Sequence, residues 1–271
     1  MNYQTPEFAE YFDELPLWSA RFGIALLERV PLRPGQTILD AGAGSGFLSI
    51  ELAQRCGETS RVIAVDPWRA AMQRLERKLA HAGLRNVQPI IQDLESAEIP
   101  ANSVDLIVSN LGLNNFEAPA AALQACFRAA RPGARLFLTT NLVGHMDEFY
   151  RAYETVLTEL GYVDRLPYLA AHVQHRATVE SVHHLLREAG FTTVATHTSI
   201  FRERYANGSA LLRHAFIRVG FMPAWKAIVP AELVQPVFAA LEQRLNLEAD
   251  RQGELSLTIP MACIEAQKPE G

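Results

Sequence analysis

The feature that most constrains this chain is Ile38-Leu39-Asp40-Ala41-Gly42-Ala43-Gly44-Ser45-Gly46. Gln36 to Leu39, led in by Pro34-Gly35, read as a short buried strand, and Phe47 to Gln54 read as a helix closed by Gly57. Three glycines stand at alternate positions between them. A strand that turns directly into a helix leaves no room for Cβ atoms at the bend. It also lets a ligand lie against bare backbone, with the free N–H groups of the helix start pointing at it. The stretch predicts an α/β fold with a ligand at the carboxyl end of its first strand.

Two cofactor classes use such a turn. A dinucleotide site takes Gly-x-Gly-x-x-Gly. Here the third glycine comes one position early, and Phe47 stands where that pattern wants glycine. Asp40, ahead of the first glycine, would repel a pyrophosphate and suit a cationic ligand carrying an amine and a sulfonium. Asp-x-Gly-x-Gly-x-Gly, as Asp40, Gly42, Gly44 and Gly46, resembles the first motif of the class I, Rossmann-like S-adenosylmethionine-dependent methyltransferases, and the chain is type 11-like among them.

Further motifs fall in order. Arg61 to Asp66 is a β-branched run ending in an acid, and Asp66 lies twenty positions after Gly46. A carboxylate there can accept from both ribose hydroxyls, which suits either cofactor class. Pro67 and Trp68 follow, and the indole could stack on an adenine or pack on the next helix. Asn86 to Gln92 reads as a third strand, followed by Asp93-Leu94. The resemblance implies that Asp93 accepts from the adenine amino group while the Leu94 N–H reaches a ring nitrogen. Ile99 to Asn110 is similar to the family's turn into a fourth strand. Asn110 and Leu111 open its post-strand motif, and Asn115 lies at the same open sheet edge, where ligands bind. Asn110-Leu111-Gly112-Leu113 lacks the Pro-Pro-aromatic turn of the nucleic-acid amino methyltransferases, which argues against base methylation. Pro119 to Ala130 reads as a helix, Arg131 to Ala134 as a turn and Leu136 to Thr140 as a fifth strand.

The resemblance implies a Rossmann-like, seven-stranded, mostly parallel sheet with helices on both faces and a helical lid. We expect one domain over 1–271: a helical leader at 1–35, a cofactor-binding core at 36–140, and a substrate half at 141–271 with residues 205–252 as the lid. Residues 3–30 read as two helical pieces carrying Phe8, Tyr11, Phe12, Leu15, Leu17 and Trp18, interrupted by Pro16. In methyltransferases of this kind that segment often folds over the cofactor, so Tyr11 and Trp18 are expected beside the substrate, with Trp225 of the lid. Met146 to Leu160 and Thr178 to Ala189 read as helices. Thr192 to Arg204 and Glu254 to Ala266 read as the sixth and closing strands.

Methyl transfer needs alignment and exclusion of water, and a base only for an acceptor that keeps its proton. His145, after the fifth strand, is the candidate base. His172 with His175, and His183 with His184, read as satisfied surface residues, and no metal set is complete. Arg202, Arg204, Arg213 and Arg218 could hold an acidic acceptor. The lid's arrangement is loosely similar to the malonyl carrier-protein methyltransferase of biotin synthesis.

The net charge of −5 gives no electrostatic case for nucleic acid or anionic membrane. Cys56, Cys126 and Cys263 are odd in number and far apart, which predicts buried thiols in a reducing compartment. With no signal peptide or spanning segment in view, the expectation is cytoplasmic. The expected activity is methyl transfer from S-adenosyl-L-methionine to a small-molecule or carrier-bound acceptor. The alternatives are a nicotinamide-dependent oxidoreductase and a non-catalytic S-adenosylmethionine-binding protein.

Overall fold

The computed structural model describes residues 4–13 and 17–270. Tyr3, Leu15 and Pro16 of the expected leader lie outside the described residues. The leader forms α1 (Pro6–Asp13) and α2 (Leu17–Leu27). Then come β1 (Thr37–Ala41), α3 (Phe47–Cys56), β2 (Arg61–Val65), α4 (Arg69–Ala82), β3 (Val87–Ile90), β4 (Val104–Asn110), α5 (Pro119–Ala129) and β5 (Ala130–Asn141). The remainder is α6 (Asp147–Glu159), α7 (Leu166–Gln174), α8 (Val179–Ala189), β6 (Thr192–Tyr205), α9 (Gly208–Arg213), α10 (Ala215–Gly220), α11 (Met222–Lys226), α12 (Ala231–Gln252) and β7 (Leu255–Gln267).

The seven strands form one sheet in the order β3-β2-β1-β4-β5-β7-β6. β2–β3, β1–β2, β1–β4 and β4–β5 pair in parallel. β7 runs antiparallel to β5: Lys268 N–H donates to Ala134 O and Leu142 N–H to Pro260 O, so one strand's numbering rises as the other's falls. The expected mostly parallel seven-stranded α/β sheet is thus the observed one. Pro89 lies in β3, an edge strand, where a missing N–H is tolerated.

Arg131 to Ala134, expected as a turn before the fifth strand, is instead a bulge inside β5. Val104 pairs with Ala130 and Leu106 with Arg135, and Gly133 takes φ +79° to accommodate the excess chain. α5 ends one residue earlier than expected for the same reason.

The chain folds into two compact units. The first holds residues 1–140, 179–198 and 262–271, and the second 141–178 and 199–261. In the first, Ile38, Leu52, Val62, Leu75, Leu106, Val108 and Phe137 make a continuous core between the sheet and its helices. β1 and β2 are buried almost throughout, as parallel strands covered on both faces must be. The second unit has its own aromatic core. The indole of Trp225 stacks on Phe149 with ring centroids 3.9 Å apart, and Tyr153 and Phe238 lie edge to face beside it. α9 starts at Asn207, whose side chain caps it by accepting from Ala210 N–H at 2.9 Å. No helix among the described residues is long and apolar enough to cross a membrane.

Candidate active site

The turn after β1 is built by three glycines with three different tasks. All have positive φ: +83° at Gly42, +53° at Gly44 and +85° at Gly46. A Cβ on Gly42 would lie 3.1 Å from the Cα of Gly112, because the end of β1 and the segment after β4 come together there. A Cβ on Gly46 would lie 2.2 Å from Leu75 of α4, so that glycine lets α3 and α4 pack. A Cβ on Gly44 would meet nothing within 4 Å. Packing does not explain Gly44: the space beside its Cα is open, and its positive φ is what favours glycine there.

Carboxylates surround this turn. Asp40, at 1% exposure, accepts from the Ser49 hydroxyl at 2.5 Å, and burial pushes its pKa up to about 7, with the Ser49 bond opposing and the Asp66 charge adding to the rise. Asp66 accepts from Gly44 N–H and from Trp68 N–H, each at 2.8 Å. Burial raises its pKa, the two N–H bonds oppose that, and the Asp93 charge raises it further. Asp93 is exposed while Leu94 is buried, and their carbonyls start a backbone turn that ends at Ala97. Asp66, with Asp40 on one side and Asp93 on the other within reach of its charge, is a poor surround for pyrophosphate. The three acids suit a ligand offering a cation and hydroxyl or amine donors, so the residues present fit S-adenosylmethionine better than a dinucleotide.

The neighbouring edge is held by hydrogen bonds. Ser109 Oγ donates to Ala41 O at 2.7 Å, tying β4 to the end of β1. Asn110 donates to Ser19 O of α2 at 3.1 Å and accepts from Thr139 Oγ1 at 2.7 Å. Leu111 takes φ +62° and donates to Thr139 O at 3.2 Å, while the exposed Asn115 returns a bond to Leu111 O at 3.1 Å. Gly112 is required here: a Cβ would come within 2.4 Å of Ser109 Oγ and 2.7 Å of Ala41 O.

α1 docks on α4. Asp13 pairs with Arg74 at 3.1 Å and Lys78 at 2.8 Å, and also accepts from Ser45 of the glycine turn. Trp68 lies against Phe8 and Phe12, ring centroids 6.0 and 5.2 Å away, so its indole packs on α1. Pro67 is exposed, Tyr11 is 46% exposed, and the half-buried Trp18 sits against Phe22 within α2. The first unit therefore brings together Asp40, the glycines, Asp66, Pro67, Trp68, Asn110 and Leu111. Sequence reasoning missed Ser45–Asp13, Ser49 and Gly112. Only Gly112 had a signal, as a glycine two positions past the end of a strand.

Trp225, expected beside a substrate, is instead the centre of the second unit's core. It is fully buried, with its N–H donated to Tyr150 Oη at 3.1 Å. His145 lies in the same interior, at 2% exposure, its ring stacked on Phe221. Burial, with Arg176 and His172 nearby, holds it well below the usual histidine range. Arg202 pairs with Glu148 at 2.8 Å, Arg204 with both oxygens of Glu254, and Arg213 with Glu242 at 3.1 Å, so these three are already neutralised. His183 contacts Thr196 Oγ1 at 2.8 Å and His172 contacts Tyr150 Oη at 3.2 Å.

A family model described as a methyltransferase domain matches residues 32–190, more than half of the chain. The chain is 28% identical over 173 residues to the ubiquinone/menaquinone biosynthesis C-methyltransferase UbiE of Salmonella arizonae, covering 60% of this chain and 69% of that one. Among solved structures it is similar to the YcgJ protein of Bacillus subtilis (TM-score 0.64, 17% identity, 93% of this chain and 100% of that one). It is also similar to a SAM-dependent methyltransferase from Aquifex aeolicus (TM-score 0.55, 21% identity, 71% and 91%). At those identities the two structures speak for the fold alone. With the glycine turn and its acids in place, the chain belongs to the methyltransferase-domain family and is a class I S-adenosylmethionine-dependent methyltransferase.

Proposed function

We propose that this enzyme methylates a small-molecule or carrier-bound acceptor, with the cofactor lying along the carboxyl ends of β1, β2 and β3. The observation that carries the reading is the open space at Gly44, whose N–H is held by Asp66, with Asp40 and Asp93 close enough to interact with that carboxylate. Bound there, the cofactor supplies a methyl carbon already activated by positive sulfur. Asp66 accepts from the ribose hydroxyls, for each of its oxygens keeps an acceptor site beyond the N–H bond it already takes. Asp93 and the Leu94 N–H read the adenine, Trp68 and Pro67 flank it, and Asp40 is a buried carboxyl beneath the turn that a cationic ligand favours in its ionised form. Asn110 and Leu111 bound the cofactor on the β4 side. Trp18, Tyr11 and Asn115 are the first unit's candidates for touching the acceptor, which they would orient while excluding water.

Three buried free cysteines support a reducing, cytoplasmic setting. The missing Pro-Pro-aromatic turn after Asn110 speaks against a nucleic-acid base as acceptor. The relative named for ubiquinone and menaquinone biosynthesis supports a small molecule in its place. No proton transfer is assigned to His145.

Calorimetric titration with S-adenosylmethionine and with a nicotinamide dinucleotide is the first test, and binding of only the latter would sink the cofactor placement. A screen of phenols, quinols, carboxylic acids and amines with methyl-labelled cofactor tests the acceptor class. Label appearing only on nucleic acid would overturn it.

A further inference from the structure

In the second unit the arginines divide sharply. Arg151, Arg165, Arg202, Arg204, Arg213 and Arg244 each have a carboxylate within ion-pair distance. Arg218 and Arg251 are exposed to water. Arg176 differs from both groups. It is half-buried, its Nε is shielded from solvent and makes no hydrogen bond, and it has no acid partner among the described residues.

Its place is fixed by the backbone. Residue 177 bridges to Leu142, and Val143 N–H donates to Ala177 O at 3.0 Å. The guanidinium is thereby held over the face of Phe221, 5.9 Å from the ring centroid, with His145 stacked against the same ring at 5.4 Å. The charges that act on His145 are those of Arg176 and His172, and those that act on His172 are His175 and Arg176. All are cationic or potentially so. A half-buried guanidinium set beside imidazoles, with no carboxylate partner among the described residues, can be neutralised by a bound anion.

Donors are also oriented. The Trp225 N–H donates to Tyr150 Oη at 3.1 Å, and Tyr150 Oη is hydrogen-bonded to His172 Nε2 at 3.2 Å. Burial first, and His175 and Arg176 next, bring the His172 pKa down to about 4. Glu148, Glu242 and Glu254, acids of the same unit, are occupied by Arg202, Arg213 and Arg204.

We propose that Arg176, backed by the Trp225–Tyr150–His172 chain, is an oxyanion-binding site for a small carboxylate or phosphate ester. The guanidinium fork takes the oxyanion bidentately. The proposal stands apart from the cofactor assignment, since every group in it belongs to the second unit.

The test is a titration of the full chain with benzoate and, separately, with phenyl phosphate, following the imidazole Cε1–H resonances by NMR. The His172 resonance is expected to shift saturably with at least one probe, while that of His81, exposed on α4, stays still. A shift with benzoate alone identifies a carboxylate site, and with phenyl phosphate alone a phosphate-ester site. Arg176→Leu should weaken binding at least about tenfold, and Arg176→Lys, which keeps the charge without the fork, by a smaller factor. Near-ultraviolet circular dichroism, dominated in this unit by the buried Trp225 stack, reports whether the second unit is folded in each variant. Should Arg176→Leu fail to fold, the wild-type titration and the Lys variant decide. No saturable shift with either probe, or variants that bind as tightly as wild type, would overturn the site. Anion binding without any methyl transfer would instead count against the proposed function alone.

Discussion

The backbone N–H of Gly44 donates to Asp66 Oδ2 at 2.8 Å, so the turn after β1 is fastened to the residue that follows β2. One carboxylate therefore shapes the glycine turn and offers lone pairs beside it. Removing it disturbs both. Asp66→Ala is expected to weaken S-adenosylmethionine binding by roughly 2–4 kcal/mol, from the loss of charge-assisted bonds and of a preorganised turn. Asp66→Asn should fall between. Calorimetry reads the constants, and an unchanged value in folded Asp66→Ala would remove the ribose assignment.

The glycines should separate binding from folding. Gly44→Val places its side chain in the open space beside the turn, where it meets no protein atom, so it should abolish cofactor binding. Its stability cost is limited to about 1–3 kcal/mol of left-handed strain. Gly46→Val adds a collision with Leu75 at 2.2 Å and should leave little folded protein. Circular dichroism and titration on the two variants distinguish the cases. Equal loss of fold in both would make Gly44 a packing residue.

Asp40 should make stability depend on pH in an unusual direction for a carboxylate. Its pKa is raised by folding from 3.8 to about 7, so between these values the native state holds a proton that the unfolded chain has released. Stability from this group falls as pH rises through that window, by on the order of 4 kcal/mol. His145 and His172, whose pKa values are lowered on folding, act oppositely, since their contribution is lost as pH falls below the unfolded histidine value. The difference between wild type and Asp40→Asn isolates the carboxylate: the variant should gain on wild type as pH rises from about 4 to about 7. Denaturant melts across that range check it. A cationic cofactor should also expel the Asp40 proton near neutral pH, seen as a buffer-dependent binding enthalpy.

Trp225 should behave as a core residue. Trp225→Ala removes the stack on Phe149 and strands Tyr150, and should destabilise the protein by about 3–5 kcal/mol. At a temperature where the variant is folded, its S-adenosylmethionine affinity should match wild type. A stable variant with altered acceptor kinetics would return Trp225 to a pocket.

The parts of the site that sequence makes legible are those set by local backbone sterics. Gly42, Gly44 and Gly46 announce a turn, and β-branched runs ending at Asp66 and before Asp93 announce strand ends. Pairing and burial are not local. The same Arg131–Ala134 conformation serves as a turn or as a bulge, and the register against Val104 and Leu106 decides which. His145 was placed correctly after the fifth strand, but nothing adjacent in sequence tells that Phe221 covers it. Arg202, Arg204 and Arg213 could be read as free cations because their acids lie 54, 50 and 29 residues away. Arg176 went unremarked because what sets it apart is the lack of such an acid.

The position of β7 bears on how this protein is made. It is the last strand in the sequence, yet it lies between β5 and β6. While a ribosome is still decoding the segment before Leu255, β5 has an open flank and β6 has no neighbour to join. The nascent chain can assemble β1 to β5, but the sheet closes only when residues 255–267 slide antiparallel into the gap. Completion is therefore a late, long-range event, and until then the flank of β5 is a surface that other nascent chains, or a chaperone, can reach.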